Sequence, residues 1–149
     1  MGRVKLDLPE KFPFKTDIPI RISDINYGGH LGHDAVLPVC HEARVRFLAE
    51  FGYTESDIEG LTYLMADAAI IYKAEAFYGQ VMEVRVAVRD FSRSGCDFVY
   101  LLTERETGIE IARVKTGMVF YDISAGGVAR VPDRFRARFD ATQRSQGGS

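Results

Sequence analysis

Side chains able to exchange protons gather in residues 23–51 of the chain. This stretch holds all three histidines of the protein, His30, His33 and His41, together with the carboxylic acids Asp24, Asp34 and Glu42. Gly28, Gly29 and Gly32 accompany them. Glycine lets a backbone turn sharply and approach a ligand closely because it has no Cβ. No other part of the sequence combines acid–base groups with such a permissive backbone, so we expect the functional site to be centred here.

An amphipathic helix is predicted directly after this loop, over residues 34–51. Apolar residues recur there at spacings of 4, 3, 4 and 4 positions: Val36, Cys40, Ala43, Phe47 and Phe51. Asp34 is the expected N-cap, and Gly52 is the expected C-cap. Pro38 is tolerated only near the start of a helix, so either the first turn is irregular or the helix begins later.

The rest of the chain is predicted to be mostly extended. Residues 81–89 alternate strictly between two faces, and one face carries only apolar residues: Met82, Val84, Val86 and Val88. Further strands are expected at 17–22, 61–76, 96–103 and 109–121, with a short basic helix around 135–139. Pro19 places the first strand at a sheet edge or a bulge. The segment 61–76 is expected to be a mostly buried strand or a bent strand pair.

This order of elements predicts an α+β fold. One long helix followed by consecutive strands with short turns gives an antiparallel sheet with the helix on one face, and a helix this apolar needs a sheet that curves around it. Apolar strand edges left unpaired favour dimerisation. We expect one domain over residues 1–149, with a core at 15–139, an N-terminal arm at 1–14 and a disordered tail at 140–149.

Composition narrows the class of protein. A net charge of −2 argues against nucleic acid or an anionic membrane surface as a partner. No apolar run approaches the ~20 residues of a membrane span, and the N-terminus lacks a signal-peptide core. Cys40 and Cys96 form no CxxC pair and are expected as buried thiols, although the sequence leaves a disulfide open. We therefore expect a cytoplasmic protein.

The chain resembles the hotdog-fold acyl-CoA thioesterases of the 4-hydroxybenzoyl-CoA thioesterase-like superfamily. The residues that carry the resemblance lie in order at 24–26, 29–33, 41–48, 72–80 and 132–133, and the likeness covers about 15–139. It implies an α-helix wrapped by an antiparallel sheet of five or more strands, homodimers or dimers of dimers, and active sites at the dimer interface. It also implies an acyl-CoA or acyl-carrier-protein thioester as substrate, with no cofactor.

One position departs from that family. The 4-hydroxybenzoyl-CoA branch has a carboxylate two residues after the first acid of the loop, where this chain has Asn26. The loop looks more like branches in which an Asn and a His share the loop and a carboxylate from elsewhere activates water.

If the protein hydrolyses a thioester, as the resemblance implies, each residue of the loop has a candidate role. Asp24 is either the base, a group that orients a histidine, or a carboxylate that caps the loop. Asn26 positions water or the carbonyl, or forms an Asx turn. His30 is the best acid–base candidate because histidine titrates nearest neutrality, and His33 shares that role or caps the helix. Backbone N–H groups at the start of the helix are expected to hold the oxyanion, and Gly29 allows that close approach.

Residues outside the loop complete the candidate set. Glu42 on the helix is either the base or half of a surface ion pair with Arg46. His41 is expected to be structural. Asp67 lies inside an apolar predicted strand and is a further candidate carboxylate that could reach a partner subunit's loop, and because an unpaired buried carboxylate is costly, we expect it to have a partner. Tyr27 is a candidate for the acyl pocket. Arg93 could pair with phosphate of the nucleotide and Ser94 with the pantetheine arm, because the turn at 92–95 resembles the family's CoA-contacting turn.

Three alternatives remain open at this point. A metal site is suggested by the spacing His30-x-x-His33, without the support of an HExxH motif or a cysteine cluster. A hydratase or dehydratase of the same fold usually has a proline between the Asn and the His, where this chain has Tyr27, Gly28 and Gly29. The third alternative is a non-catalytic acyl-thioester-binding protein, which would retain the fold without the hydrolase activity.

Overall fold

The computed structural model describes residues 4–140, and its elements follow the predicted order. Within this range the strands are β1 Phe14–Pro19, β2 Thr62–Tyr72, β3 Val81–Arg89, β4 Gly95–Glu104, β5 Glu110–Asp122 and β6 Gly127–Val128. The helices are α1 His33–Glu50 and α2 Asp133–Phe139, and a 3-10 turn covers Ile22–Asp24. The strands are antiparallel in the order β1-β3-β4-β5-β2, with β6 on β5. This confirms the predicted α+β class and the hotdog arrangement of a curved sheet around one long helix.

Helix α1 begins one residue earlier than predicted and continues through its proline. Gly32 is the N-cap, and Asp34 stands at the second helical position without a side-chain capping bond. Pro38 removes the N–H that would bond the carbonyl of Asp34, but both residues are at least partly exposed, so that carbonyl can reach water. At the other end Gly52 has φ +83°, which confirms the predicted C-terminal glycine.

The core lies between α1 and the sheet. The alternation predicted for β3 is confirmed, because Met82, Val84, Val86 and Val88 are all buried. Phe47 of α1 is fully buried and packs edge-on against Phe98 of β4, with ring centroids 5.8 Å apart. Helix α2 begins two residues before the predicted basic segment and inserts Phe135 into the same core.

Strand β2 is shorter and more exposed than predicted. It ends at Tyr72 instead of reaching residue 76, and residues 64–68 are exposed. Among the described residues β2 pairs only with β5, so its other edge is open. The expectation of a mostly buried strand was wrong because a strand at the end of a sheet has a neighbour on one side only.

The two termini differ from each other. Residues 4–13 contain no regular element and contact the face of the sheet opposite α1, where Arg113 donates to the Leu6 carbonyl at 3.1 Å and Arg89 donates to that of Asp7. Asp140 follows α2 directly. The rest of the predicted tail, 141–149, lies outside the described residues. No helix within 4–140 has the length and hydropathy to cross a bilayer.

Candidate active site

The loop before α1 is a tight hairpin closed on Asn26. The N–H of Asn26 donates to the carbonyl of His30 at 3.0 Å, and the N–H of Gly29 donates back to the carbonyl of Asn26 at 3.1 Å. The side-chain oxygen of Asn26 accepts from the N–H of Gly28 at 2.9 Å. Gly29 has φ +81°, which glycine adopts without a Cβ clash. Asn26 therefore forms the Asx turn that the sequence suggested, and this turn fixes the position of its side chain.

His30 lies beside Asn26 in this hairpin. A Cβ built on Gly28 would stand 3.1 Å from His30 Nε2 and 3.4 Å from Asn26 Oδ1, so both side chains converge on Gly28. His30 Nδ1 lies 3.2 Å from the carbonyl oxygen of Leu31, to which it donates as an N–H. The other ring nitrogen, Nε2, then lies 3.7 Å from Oε1 of Glu75. Glu75 was not among the candidate residues predicted from the sequence. The structure thus brings Asn26 and His30 together and adds a carboxylate next to the imidazole.

His30 and His33 share one hollow of about 230 Å³, here called the histidine hollow. Its lining comes from the loop, the start of α1, the end of β2 and the segment after it: His30, Leu31, His33, Val36, Tyr72, Lys73, Ala74, Glu75, Ala76, Ile111 and Ala112. The His33 ring stacks on Tyr72 with centroids 4.2 Å apart. The N–H groups of His33 and Asp34 have no acceptor among residues 4–140, so they remain available for a developing oxyanion.

Asp24 and Glu42 lie in a different place. Both line a second hollow of about 340 Å³, here called the helix groove, between α1 and the segment after β1. The Asp24 carboxylate is buried, and it accepts from the N–H of Arg21 at 2.9 Å and from the Arg21 guanidinium at 3.1 Å. Glu42 pairs with Arg46 Nε at 2.9 Å. The structure therefore separates these two carboxylates from His30, and each has a cation as its partner.

The predicted substrate-binding residues are also dispersed. Tyr27 projects from the hairpin and is fully exposed. Arg93 and Ser94 lie in the turn between β3 and β4, next to the first residue of β4. The other end of β4 pairs Leu102 with Ala112 of the histidine hollow. Seven residues of strand separate Gly95 from Leu102, which is roughly 23 Å at ~3.3 Å per residue. Arg93 therefore does not reach the histidine hollow of its own chain.

A buried polar network, which sequence reasoning missed, joins α1 to the sheet. Arg44 is only 5% exposed. It donates through Nε to the hydroxyl of Tyr63 at 2.8 Å and through Nη1 to that of Tyr100 at 2.9 Å. Tyr100 also pairs with Thr116 Oγ1 at 2.7 Å. Burial raises the pKa of Tyr100 to about 12, against the opposing charge of Arg44. One sequence signal existed, since Arg44 falls within the apolar stripe of the helix.

The network ends in an ion pair at the surface. The Tyr63 hydroxyl donates to Glu55 Oε2 at 2.5 Å, and His41 Nε2 lies 2.6 Å from Glu55 Oε1. Burial acts to raise the pKa of Glu55, but hydrogen bonds from Tyr63 and His41 and the charge of Arg44 lower it overall. Glu55 is therefore an ionised carboxylate with both oxygens engaged. No sequence pattern marked it, because the side chains that bond its carboxylate are at least eight positions away.

Two further expectations concern carboxylates and metals. Asp67 is exposed and pairs with Lys115 at 2.8 Å on the face of the sheet opposite α1, so the expectation of a buried carboxylate was wrong while that of a partner was right. Within residues 4–140 no three or more His, Cys, Asp or Glu side chains are grouped so that they could hold a metal ion.

Known proteins resemble the chain in sequence pattern and in fold. The family model of the Thioesterase-like superfamily matches residues 20–139. No curated protein matched. Two solved structures superpose with TM-scores of 0.75 at 20% identity. One is a 1,4-dihydroxy-2-naphthoyl-CoA thioesterase from Synechocystis, with 83% of this chain and 93% of that chain covered. The other is a DHNA-CoA thioesterase from Staphylococcus aureus, with 90% and 92% covered.

A thioesterase from Thermus thermophilus, complexed with coenzyme A and Zn, superposes with a TM-score of 0.71 at 21% identity, over 86% of this chain and 98% of that chain. At these identities the structures establish the fold, and the family model spans most of the sequence. The chain therefore belongs to the thioesterase-like superfamily and is a hydrolase of acyl thioesters.

Proposed function

We propose that the protein hydrolyses an acyl-CoA or acyl-carrier-protein thioester to the free acid and thiol in the histidine hollow. The observation that carries the proposal is that His30 lines the hollow together with His33, whose N–H is free at the start of α1, while Asn26 lies beside His30 in the hairpin. A carbonyl oxygen seated on the N–H groups at the start of α1 would be stabilised as it gains negative charge. No cofactor is needed for this reaction.

The chemistry divides between these groups. Water forms a bond to the carbonyl carbon and gives its proton to a general base, a carboxylate or a histidine, the C–S bond then breaks, and the departing sulfur takes a proton. His30 is the acid that gives this proton to the sulfur. When its Nε2 holds a proton, that nitrogen lies at ion-pair distance from the Glu75 carboxylate, which stabilises the charged ring. Asn26 orients the thioester. The N–H groups of His33 and Asp34 hold the oxyanion.

Asp24 and His33 act indirectly in this arrangement. The ion pair with Arg21 ties the Asp24 carboxylate to the turn before the loop, and the carbonyl of Asp24 accepts from the N–H of Gly32 at 2.9 Å. Asp24 therefore positions the loop. The ring of His33 forms a wall of the hollow with Tyr72. Glu42 faces the helix groove, so the substitution Glu42→Gln should leave turnover close to the wild-type rate.

A homodimer through the open edge of β2 fits this function. The edge strand and the segment after it expose large apolar side chains: Leu64, Met65, Tyr72, Phe77 and Tyr78. An unpaired strand edge with apolar side chains is a site for pairing with another copy. The histidine hollow lies at one end of this edge, so a second copy would border it. Arg93 and Ser94 of the partner subunit would then be available for the nucleotide and pantetheine of CoA. Two such homodimers would in turn associate to form the dimer of dimers.

The cytoplasm is the proposed compartment. Cys40 and Cys96 are both free and buried, and burial raises the pKa of each thiol. Free thiols of this kind are typical of proteins in a reducing environment.

A thiol-release assay over a panel of acyl-CoA and acyl-carrier-protein thioesters tests the proposal. We expect free thiol to appear in step with loss of the thioester. Loss of crotonyl-CoA absorbance without thiol release would instead indicate a hydratase. CoA binding without either reaction would indicate a binding protein. Sedimentation velocity tests the dimer, which a monomer at working concentration would contradict.

A further inference from the structure

His41 and Glu55 are arranged as a proton-transfer pair. The Nε2–H of His41 donates to the ionised carboxylate at 2.6 Å, which leaves the lone pair of the neutral ring on Nδ1. Nδ1 has no partner among residues 4–140, and the side chain is 56% exposed. Tyr63 and Arg44 fix the other oxygen of Glu55 from the buried side. The imidazole is thus held at a set angle with its basic nitrogen open to a ligand.

This pair does not reach the reacting carbonyl of its own chain. His41 follows His33 by eight residues on one helix. At 1.5 Å per residue that is about 12 Å along the helix axis. A general base must come within ~3 Å of the water whose proton it accepts. The pair therefore lies too far from the N–H groups at the start of its own α1.

The open edge of β2 places the same pair beside the other site. The histidine hollow adjoins Tyr72, the last residue of β2. Glu55 is held at the first residues of β2, by Tyr63 and by the Thr62 hydroxyl, which donates to the Glu55 carbonyl at 2.8 Å. Two β2 strands related by a two-fold axis pair antiparallel, so the start of one lies against the end of the other. That axis is perpendicular to the sheet, which keeps both α1 helices on the same face.

We propose that each active site takes its general base from the second subunit, as the His41–Glu55 pair. This inference rests on the proposed thioesterase function and on the β2 dimer. His41 of the partner subunit accepts the proton of the attacking water at Nδ1, and the water oxygen bonds to the carbonyl carbon. When the C–S bond breaks, His30 gives its proton to the sulfur, and His41 returns the water proton to His30 through solvent. His41 is the catalytic residue, and Glu55 is its positioning residue.

Heterodimers of differently tagged full-length chains test the arrangement. A His30→Ala chain paired with a His41→Ala chain contains one site in which the loop and the proton-transfer pair are both intact. We expect this heterodimer to have about half the wild-type activity, while each variant homodimer loses about 10²-fold, the usual range for acid–base groups. The matched control carries both substitutions on one chain beside a wild-type chain. Each of its sites then lacks one group, and we expect it to be inactive.

The reversed pattern, with the double-variant heterodimer half-active and the first heterodimer inactive, would overturn the proposal because it places both groups in one chain. Full activity of the His41→Ala homodimer would overturn it as well. In either case a wild-type enzyme that releases thiol leaves the proposed function standing. A wild-type enzyme that releases no thiol from any thioester refutes the proposed function itself.

The substitution Glu55→Gln distinguishes a positioning role of Glu55 toward His41 from a non-specific structural effect. We expect kcat to fall about 10-fold with KM little changed, and the acid limb of the kcat–pH profile to move, since the carboxylate acts through His41. Glu59→Gln is the matched control, because Glu59 also accepts from a tyrosine hydroxyl, that of Tyr53 at 2.6 Å, and does not contact His41. An unchanged pH profile for Glu55→Gln, or equal effects of the two substitutions, would contradict the positioning role.

Discussion

Removing one oxygen atom from Tyr100 is expected to cost more stability than removing the whole guanidinium of Arg44. The Tyr100 hydroxyl is fully buried and serves both Arg44 Nη1 and Thr116 Oγ1. Tyr100→Phe leaves these two buried groups without that partner, and one of them is charged. An orphaned buried group costs ~1–3 kcal/mol, and more when charged, so we expect a loss of about 3–5 kcal/mol in the free energy of unfolding.

Arg44→Met leaves the neighbouring hydroxyls paired. Tyr100 keeps Thr116, and Tyr63 keeps Glu55. The two hydrogen bonds of Arg44 to tyrosine hydroxyls contribute about 3–6 kcal/mol together, and its 3.5 Å contact with Glu55 is to a carboxylate that keeps Tyr63 and His41 as partners. The substitution also removes a desolvation penalty of several kcal/mol, and methionine fills most of the space. The net loss in the free energy of unfolding is expected to be about 1–2 kcal/mol.

Urea unfolding at pH 7 and fixed protein concentration measures both losses. The chain has no tryptophan, so the transition is followed by circular dichroism. Tyr53→Phe is the control, because the two partners of its hydroxyl, Glu59 and Arg138, are exposed and can turn to solvent, and we expect a loss below about 1 kcal/mol. A larger loss for Arg44→Met than for Tyr100→Phe would refute the reasoning, since it would show that the buried cation itself stabilises the fold.

Three further outcomes are expected. Because the pKa of Glu55 is lowered in the folded state, its stabilising contribution is present above its unfolded value of ~4.3 and is lost as the pH falls through the folded value. Glu55→Gln should therefore flatten the acid side of the stability curve measured by urea unfolding between pH 7 and 3, and an unchanged slope would contradict this. Gly28→Ala should lower kcat about 10-fold with little change in melting temperature, since the new Cβ presses on the His30 ring. Phe135→Ala should cost about 3–5 kcal/mol of unfolding free energy, because the ring is fully buried among other aromatic residues, and a loss below about 1 kcal/mol would contradict this.

The elements could be predicted from the sequence because their signals are local. Helix α1 begins within one residue of its predicted start, and β3 has the predicted bounds 81–89. The proximity of Asn26 and His30 could also be expected, since both belong to one hairpin of a few residues. The exposure of β2 could not, because it depends on which strand ends the sheet.

The side-chain partners could not be predicted. Asp24 faces Arg21 because a 3-10 turn folds residues 22–24 back on Arg21, and nothing in the spacing of Asp24 and His30 indicated that turn. The role of Glu55 depends on Tyr63 and His41, which only the packing of α1 on the sheet brings to it. His41 was expected to be structural because its helical position alone gave no sign of that carboxylate.

The kcat/KM of His30→Ala for the best thioester substrate tests the central claim most directly. If hydrolysis takes place in the histidine hollow, kcat/KM should fall about 10²-fold or more while the melting temperature and the oligomeric state stay those of the wild type. A His30→Ala enzyme that releases thiol at the wild-type rate would place the reaction elsewhere in the molecule.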